Sequence, residues 1–216
     1  MLSILIKYSS YFLTGLKYTL ELSIISVLIG IAIGSLLALL KLSKRKLLRF
    51  IASVYIEVVR GTPMITQLFI VYFGSYVLFG WNMNPFIAGI IAVSLNSGAY
   101  VAEIVRSGIQ SIDKGQMEAG RSLGMSQGVT MKEIIIPQAI KNILPSLCNE
   151  FITVIKETSI VSVIGVTDLM YNVNIVRGIS FKPLEPLLIA AVMYFLLTFG
   201  LSKAVNILEG KLKESD

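Results

Sequence analysis

Five stretches of this chain, roughly 18–40, 63–79, 85–105, 140–164 and 184–205, are mainly apolar and long enough to read as membrane spans. A helix needs about 20 such residues to cross a hydrocarbon core ~30 Å thick. Inside that core every backbone N–H and C=O must find its partner within the protein. These segments therefore confine the chain to one architecture, a bundle of transmembrane helices. Composition agrees. The 216 residues are 55% hydrophobic and 15% charged, with a mean hydropathy of +0.77, whereas a soluble domain carries about 25% charge. The expected class is all-α integral membrane, one transmembrane domain over 1–216.

Lys and Arg concentrate on the cytoplasmic side of membrane proteins. Loop 41–49 (KLSKRKLLR) holds Lys41, Lys44, Arg45, Lys46 and Arg49. The long loop after the third span holds Arg106, Lys114, Arg121 and Lys132, and the tail holds Lys211 and Lys213. The other side has Lys7, Lys17, Arg177 and Lys182, spread over longer segments. This places the N-terminus outside, the C-terminus in the cytoplasm and loop 108–138 in the cytoplasm. The first span is too long for a signal-peptide core, and no small-residue cleavage site follows it. Segment 50–60 (FIASVYIEVVR) is too short and too charged to span and reads as an interfacial elbow. Thr62 is the expected cap of the second span, with Pro63 at its first helical position. Gly30 and Gly34 form GxxxG with Ser26 one turn earlier, a pattern that lets helix backbones approach closely. Trp81 and the tyrosines near span ends read as interfacial anchors.

The chain has no histidine, which excludes a histidine base or a histidine-ligated metal; no metal site is expected. Its one cysteine, Cys148, lies in an apolar run and reads as a core residue. The net charge of +6 sits beside apolar segments, as membrane topology requires, so no nucleic-acid partner is expected. No G-x-x-x-x-G-K-[ST] stretch occurs, so the loop that cradles nucleotide phosphates is missing.

Charges inside a span are costly unless paired or facing water. Glu150 falls near the middle of the fourth span, with Ser146, Thr153 and Glu157 at i−4, i+3 and i+7. One face of that helix is therefore polar, and Pro145 can free a backbone carbonyl there. Glu150 reads either as a substrate contact or as the partner of a cation such as Arg106. In the third span Asn96, Tyr100 and Glu103 share a face. Asn96 reads as a substrate or pore residue or as an interhelical hydrogen bond, and Tyr100 as a substrate contact or packing. Glu103 reads as a local ion pair with Arg106. Asn96 and Glu150 fall at similar depth near the midplane, where transporter sites lie. Segment 172–181 is placed outside.

The remaining feature is the polar stretch 118–137, EAGRSLGMSQGVTMKEIIIP. Residues 114–123 suit a short helix with Met117, Gly120 and Leu123 on one side and Glu118 reaching Arg121 at i, i+3. Gly124 suits a left-handed stop, Ser126 a cap, and Pro137 the start of the fourth span. Such a compact helix–turn–helix either fills a groove in another protein or lies on lipid headgroups.

Glu118-Ala119-Gly120, three residues, Gly124, nine residues, then Ile134-x-Ile136-Pro137 resembles the EAA motif of the membrane subunits of ABC importers, Glu-Ala-Ala-x3-Gly-x9-Ile-x-Leu-Pro. The departures are Gly120 for the third alanine, expected to loosen the helix by about 1 kcal/mol, and Ile136 for leucine. EVVRGTP (57–63), SGAYVAEIVR (97–106) and SIDKGQ (111–116) are similar to permeases of the polar amino acid uptake branch. The resemblance implies a five-span subunit of the type I importer fold in a prokaryotic cell membrane. It implies a second permease copy, two ABC ATPase subunits beneath and an external substrate-binding protein. It makes the loop a coupling helix seated in the ATPase, with Glu118, Ala119, Gly120, Arg121, Gly124 and Pro137 as coupling residues. ATP and Mg would be bound by that partner, leaving no cofactor and no catalysis in this chain. The substrate-binding candidates are Glu150, Asn96, Tyr100, Thr153 and Ser146. Glu150 favours a cationic amino acid, arginine, lysine or histidine. A same-fold permease for glutamine or cystine, or a channel or carrier acting alone, is the alternative. The furnished polar face favours a homodimer, with a heterodimer left open.

Overall fold

The computed structural model describes residues 1–213, the side chain of Lys213 excepted; the last three positions of the expected domain, and the side chain of Lys213 counted in the basic tail, lie outside the described residues. In chain order the elements are α1 (Leu2–Lys7), α2 (Ser9–Leu42), α3 (Lys46–Arg60), α4 (Met64–Phe79) and α5 (Pro85–Gln110). Then come α6 (Lys114–Ser122), α7 (Gln127–Thr130), a π-helical segment (Met131–Ile135), α8 (Ile136–Glu157), a 3-10 segment (Thr158–Ile164), α9 (Leu169–Ser180) and α10 (Glu185–Lys213). Three helices, α2, α5 and α10, are long and apolar enough to cross a membrane alone. Among the described residues two bent pairs, α3 with α4 at 106° and residues 127–164 with α9 at 55°, bring the count to as many as five if each pair is one span.

The bundle is organised on the seam between α2 and α5, its largest helix–helix interface. Small residues explain the close approach. A Cβ on Gly34 would stand 2.6 Å from Val101, and one on Gly98 2.8 Å from Ile33. Gly30 lies against Ser97 in the same way, at 3.1 Å. The GxxxG pattern is therefore a packing device. Around the seam, Leu22, Leu68, Ala92, Val154 and Val161 form one buried cluster. A second cluster, with Phe12, Leu169, Val173, Val176 and Ile189, joins α2, α9 and α10.

Helix ends follow local chemistry. Asn84 caps α5, its side chain accepting from Phe86 N–H ahead of Pro85. Asp168 caps α9 through Tyr171 N–H at 2.9 Å. The elbow differs from expectation. Pro63, not Thr62, occupies the cap position of α4, and the Thr62 hydroxyl donates back to Val58 O at 2.9 Å, closing α3 instead. Gln67 completes the corner, its amide donating to Val59 O at 2.7 Å and to Thr62 Oγ1 at 2.9 Å. Segment 172–181 is also more than an external connection. Most of it is α9, whose Asn172, Val173 and Val176 are buried in the bundle.

Candidate functional site

Two polar regions stand out on this framework. The first is the mid-span face of α8. Ser146 and Asn149 are exposed, and Glu150 and Thr153 half-buried. Glu150 Oε1 accepts from Ser97 Oγ of α5 at 2.9 Å. That bond crosses the bundle beside Gly30, whose small size admits Ser97. The proposed pairing of Glu150 with Arg106 is not formed. Arg106 donates through Nε and Nη2 to Glu103 Oε2 at 2.9 and 2.7 Å, and Lys41 pairs with the other Glu103 oxygen. Glu103 thus ties α2 to α5 and engages both nearby cations. Glu150 has no cationic partner among the described residues.

Thr153 donates to Asn149 O one turn back at 3.1 Å, which leaves its oxygen free to accept. Ser146 lines a cleft of about 210 Å³ with Asn142, Pro145 and Asn149. Asn96 and Tyr100 face elsewhere. Asn96 is buried and donates to Gln67 Oε1 at 3.0 Å. The Arg60 guanidinium lies over the Tyr100 ring, 5.3 Å from its centre. Of the readings open for these two residues, interhelical bonding and packing are what the geometry displays. Adjacent positions on α5 therefore divide the work, with Asn96 turned to the elbow and Ser97 to Glu150. Sequence reasoning passed over Ser97, Asn149 and Gln67. Gln67 carried a signal, since it is a lone amide inside an apolar run.

The second region is the loop between α5 and α8. Asp113 Oδ1 caps α6 by accepting from Gly115 N–H at 2.7 Å. Gly124 adopts the left-handed conformation at φ +86°, and Ser126 caps α7 by accepting from Val129 N–H at 3.3 Å. Arg121 does not pair with Glu118. It donates to Met125 O at 2.9 Å, clamping the turn. Gly120 is buried and Met117 half-buried, while Leu123 points away from the body, 82% exposed. Glu118, Ala119 and Arg121 are exposed as well. The π segment follows, with Ile136 N–H donating to Met131 O. Pro137 has no N–H and its ring disfavours a regular α-turn before it, which accounts for the wider winding. Gln138 Nε2 donates to Ile134 O at 2.9 Å, and Asn142 Nδ2 to Ser111 Oγ at 3.0 Å. The loop is a compact knob tied to both spans it connects.

Gly120 has a reason that the motif alone did not show. A Cβ there would stand 2.5 Å from Thr130 Cγ2 and 3.0 Å from its Oγ1. Gly120→Ala, which restores the common alanine, is therefore expected to destabilise the knob by about 1–3 kcal/mol of overpacking, less the ~1 kcal/mol gained in helix propensity. Adding Thr130→Ala removes both contacts and is expected to restore that stability, read as the thermal midpoint of the purified protein.

A polytopic helical subunit with a polar mid-span face and a rigid knob at one membrane surface has the form of an importer permease. The chain belongs to the family of binding-protein-dependent transport system inner membrane components, whose model matches residues 30–214. It is 45% identical over 215 residues to a Rickettsia bellii (strain RML369-C) protein named as a glutamine transport system permease, GlnP, covering 98% of this chain and 99% of that one. It is 44% identical over 206 residues to the arginine transport system permease protein ArtQ of Bacillus subtilis (strain 168), covering 95% and 94%. It matches a chain in the crystal structure of an amino acid ABC transporter with histidines at 47% identity and a TM-score of 0.92, over 96% of each chain. The protein is an amino acid ABC transporter permease of the bacterial inner membrane, with the type I importer fold. Such subunits work with an ATPase and a substrate-binding protein and are not themselves enzymes.

Proposed function

We propose that this subunit, paired with a second copy of itself, forms the path for a cationic amino acid such as arginine, lysine or histidine. The observation that carries the reading is the Glu150 carboxylate, set on an open face of α8 and bonded, among the described residues, only to the Ser97 hydroxyl. Arg106, the cation that the sequence offered it, is engaged by Glu103 together with Lys41. An ammonium or guanidinium group would neutralise Glu150, with Thr153 and Ser146 on the same face as polar contacts. Asn96 and Tyr100 then hold the wall behind that face rather than the substrate, because the Asn96 amide is engaged by Gln67 and the Tyr100 ring by Arg60. A face this polar cannot border lipid; it borders a water-filled path between the two copies.

The N-terminus lies outside and the knob in the cytoplasm. Glu118, Ala119, Gly120, Arg121, Gly124 and Pro137 form and shape the surface gripped by the ATPase, which binds ATP and Mg. ATP binding moves the paired knobs and opens the site outward; hydrolysis returns it inward. Support comes from ArtQ, named for arginine, and from the matched transporter named with histidines; GlnP, named for glutamine, favours the neutral alternative. The deciding experiment is to purify the chain with its ATPase and binding protein and to screen amino acids for stimulated ATP hydrolysis. Arginine, lysine or histidine is expected to stimulate it. Stimulation by glutamine or cystine alone would overturn the cationic reading.

A further inference from the structure

α3 has three faces of different chemistry. Ala52 and Ile56 are buried against the bundle, and Tyr55 Oη donates to Leu95 O of α5 at 2.9 Å. A second stripe, Leu47, Phe50, Ile51, Val54 and Val58, repeats at i, i+3, i+4, i+7 and i+11 and is exposed, Leu47 by 69% and Phe50 by 65%. The third face carries Lys46, Arg49, Glu57 and Arg60. α3 is bent by 106° from α4, so when α4 spans the membrane α3 runs roughly along its surface. A helix with one apolar and one charged free face, held in that plane, has the form of an interfacial helix.

Its charge is unevenly placed. Lys44, Arg45, Lys46 and Arg49 are all exposed and gather at its start, and the first acidic residue is Glu57, near its end. We infer that α3 and the turn before it form a binding surface for anionic phospholipid, with the acyl chains against Leu47, Phe50 and Val54 and the headgroup phosphates among Lys44, Lys46 and Arg49. Charge complementarity selects this occupant. A protein groove would be met equally by the apolar stripe, but it gives no account of a cation cluster placed where the helix reaches headgroup depth. Each cation near an anionic leaflet strengthens binding roughly fivefold, and the attraction fades with salt. The lipid would fix the elbow, and through the Gln67–Asn96 bond the wall of the path. The inference rests on the chain being a membrane permease, so its test includes a readout that needs no transport.

The assembled transporter is placed in phosphatidylcholine vesicles with or without phosphatidylglycerol. A fluorophore is attached at Phe50→Cys in a Cys148→Ala background. Quenching by shallow doxyl-labelled lipid is expected in both vesicles, and retention of phosphatidylglycerol through purification is expected for the parent protein. Replacing Lys44, Lys46 and Arg49 by Gln is expected to lower that retention roughly a hundredfold and to remove the lipid's stimulation of ATP-driven uptake, leaving uptake in pure phosphatidylcholine unchanged. Equal retention by both proteins would overturn the inference. So would a fluorophore that doxyl lipid never reaches and that only ATPase binding shields, which would make the stripe a protein interface. Absence of ATP-driven uptake in every vesicle would instead count against the proposed function and leave the lipid result standing.

Discussion

Glu150→Gln is expected to abolish uptake of cationic amino acids while leaving the protein folded. Glutamine keeps an oxygen in place for Ser97 to donate to, so the bond between α5 and α8 survives. What is lost is the charge. Removing one member of a desolvated charge pair costs about 2–5 kcal/mol, a fall of roughly 30-fold or more. The measurement is initial uptake of arginine and of a neutral amino acid into proteoliposomes containing the full transporter. Only the cationic rate should collapse. Equal loss for both substrates would point to a broken path, and wild-type arginine uptake would remove Glu150 from the site.

The largest structural effect is expected at Gly34. Gly34→Ala would put a methyl group 2.6 Å from Val101 Cβ and Cγ1 and 2.7 Å from the Gly98 carbonyl. One of those obstacles is backbone, so a rotamer change cannot clear the space. The helices must separate, which also loosens the Gly30–Ser97 and Gly98–Ile33 contacts along the same seam. Overpacking alone costs about 1–3 kcal/mol, and opening the principal seam of the bundle places this variant at the upper end or beyond. The expected readout is a large fall in thermal midpoint and in monodisperse yield after detergent extraction. Gly74→Ala and Gly200→Ala serve as controls. Neither would meet a foreign atom within 4 Å, and each should be neutral or gain a few tenths of a kcal/mol from helix propensity. Equal melting of all three would show that the seam is looser than these distances state.

Much of this was legible in the sequence because bilayers impose simple rules. Apolar length marked the spans, GxxxG marked the seam, and Gly124 and Ser126 marked the turn in the knob. The failures share a physical cause, which is that sequence spacing gives a face and not its neighbour. Asn96 and Glu150 stood at similar depth, yet Ser97 is the residue that meets Glu150, because Asn96 is turned to Gln67 of α4 and its neighbour faces α8. Thr62 looked like a cap, but a hydroxyl at the end of one helix can serve that helix as well as the next. α9 was hidden by Asp168, Asn172, Asn174 and Arg177, which break the hydropathy. Burial is tolerated because Asn172 donates to Thr167 O and Asp168 O at 2.8 and 2.9 Å. The partner of Arg121 could not be read from i, i+3 spacing once the chain folded back and offered Met125 O.

The over-wide winding before Pro137 sets the angular phase between the loop knob and the polar face of α8. On the function proposed above, residues upstream of it would meet the ATPase, while those downstream would present Ser146, Glu150 and Thr153 to the solute. Rewinding that turn by one residue would swing all three together by about 100° about the helix axis. If Glu150 meets the solute as proposed, a small adjustment in this turn, with no stretching of α8, would be enough to turn that charge toward or away from it.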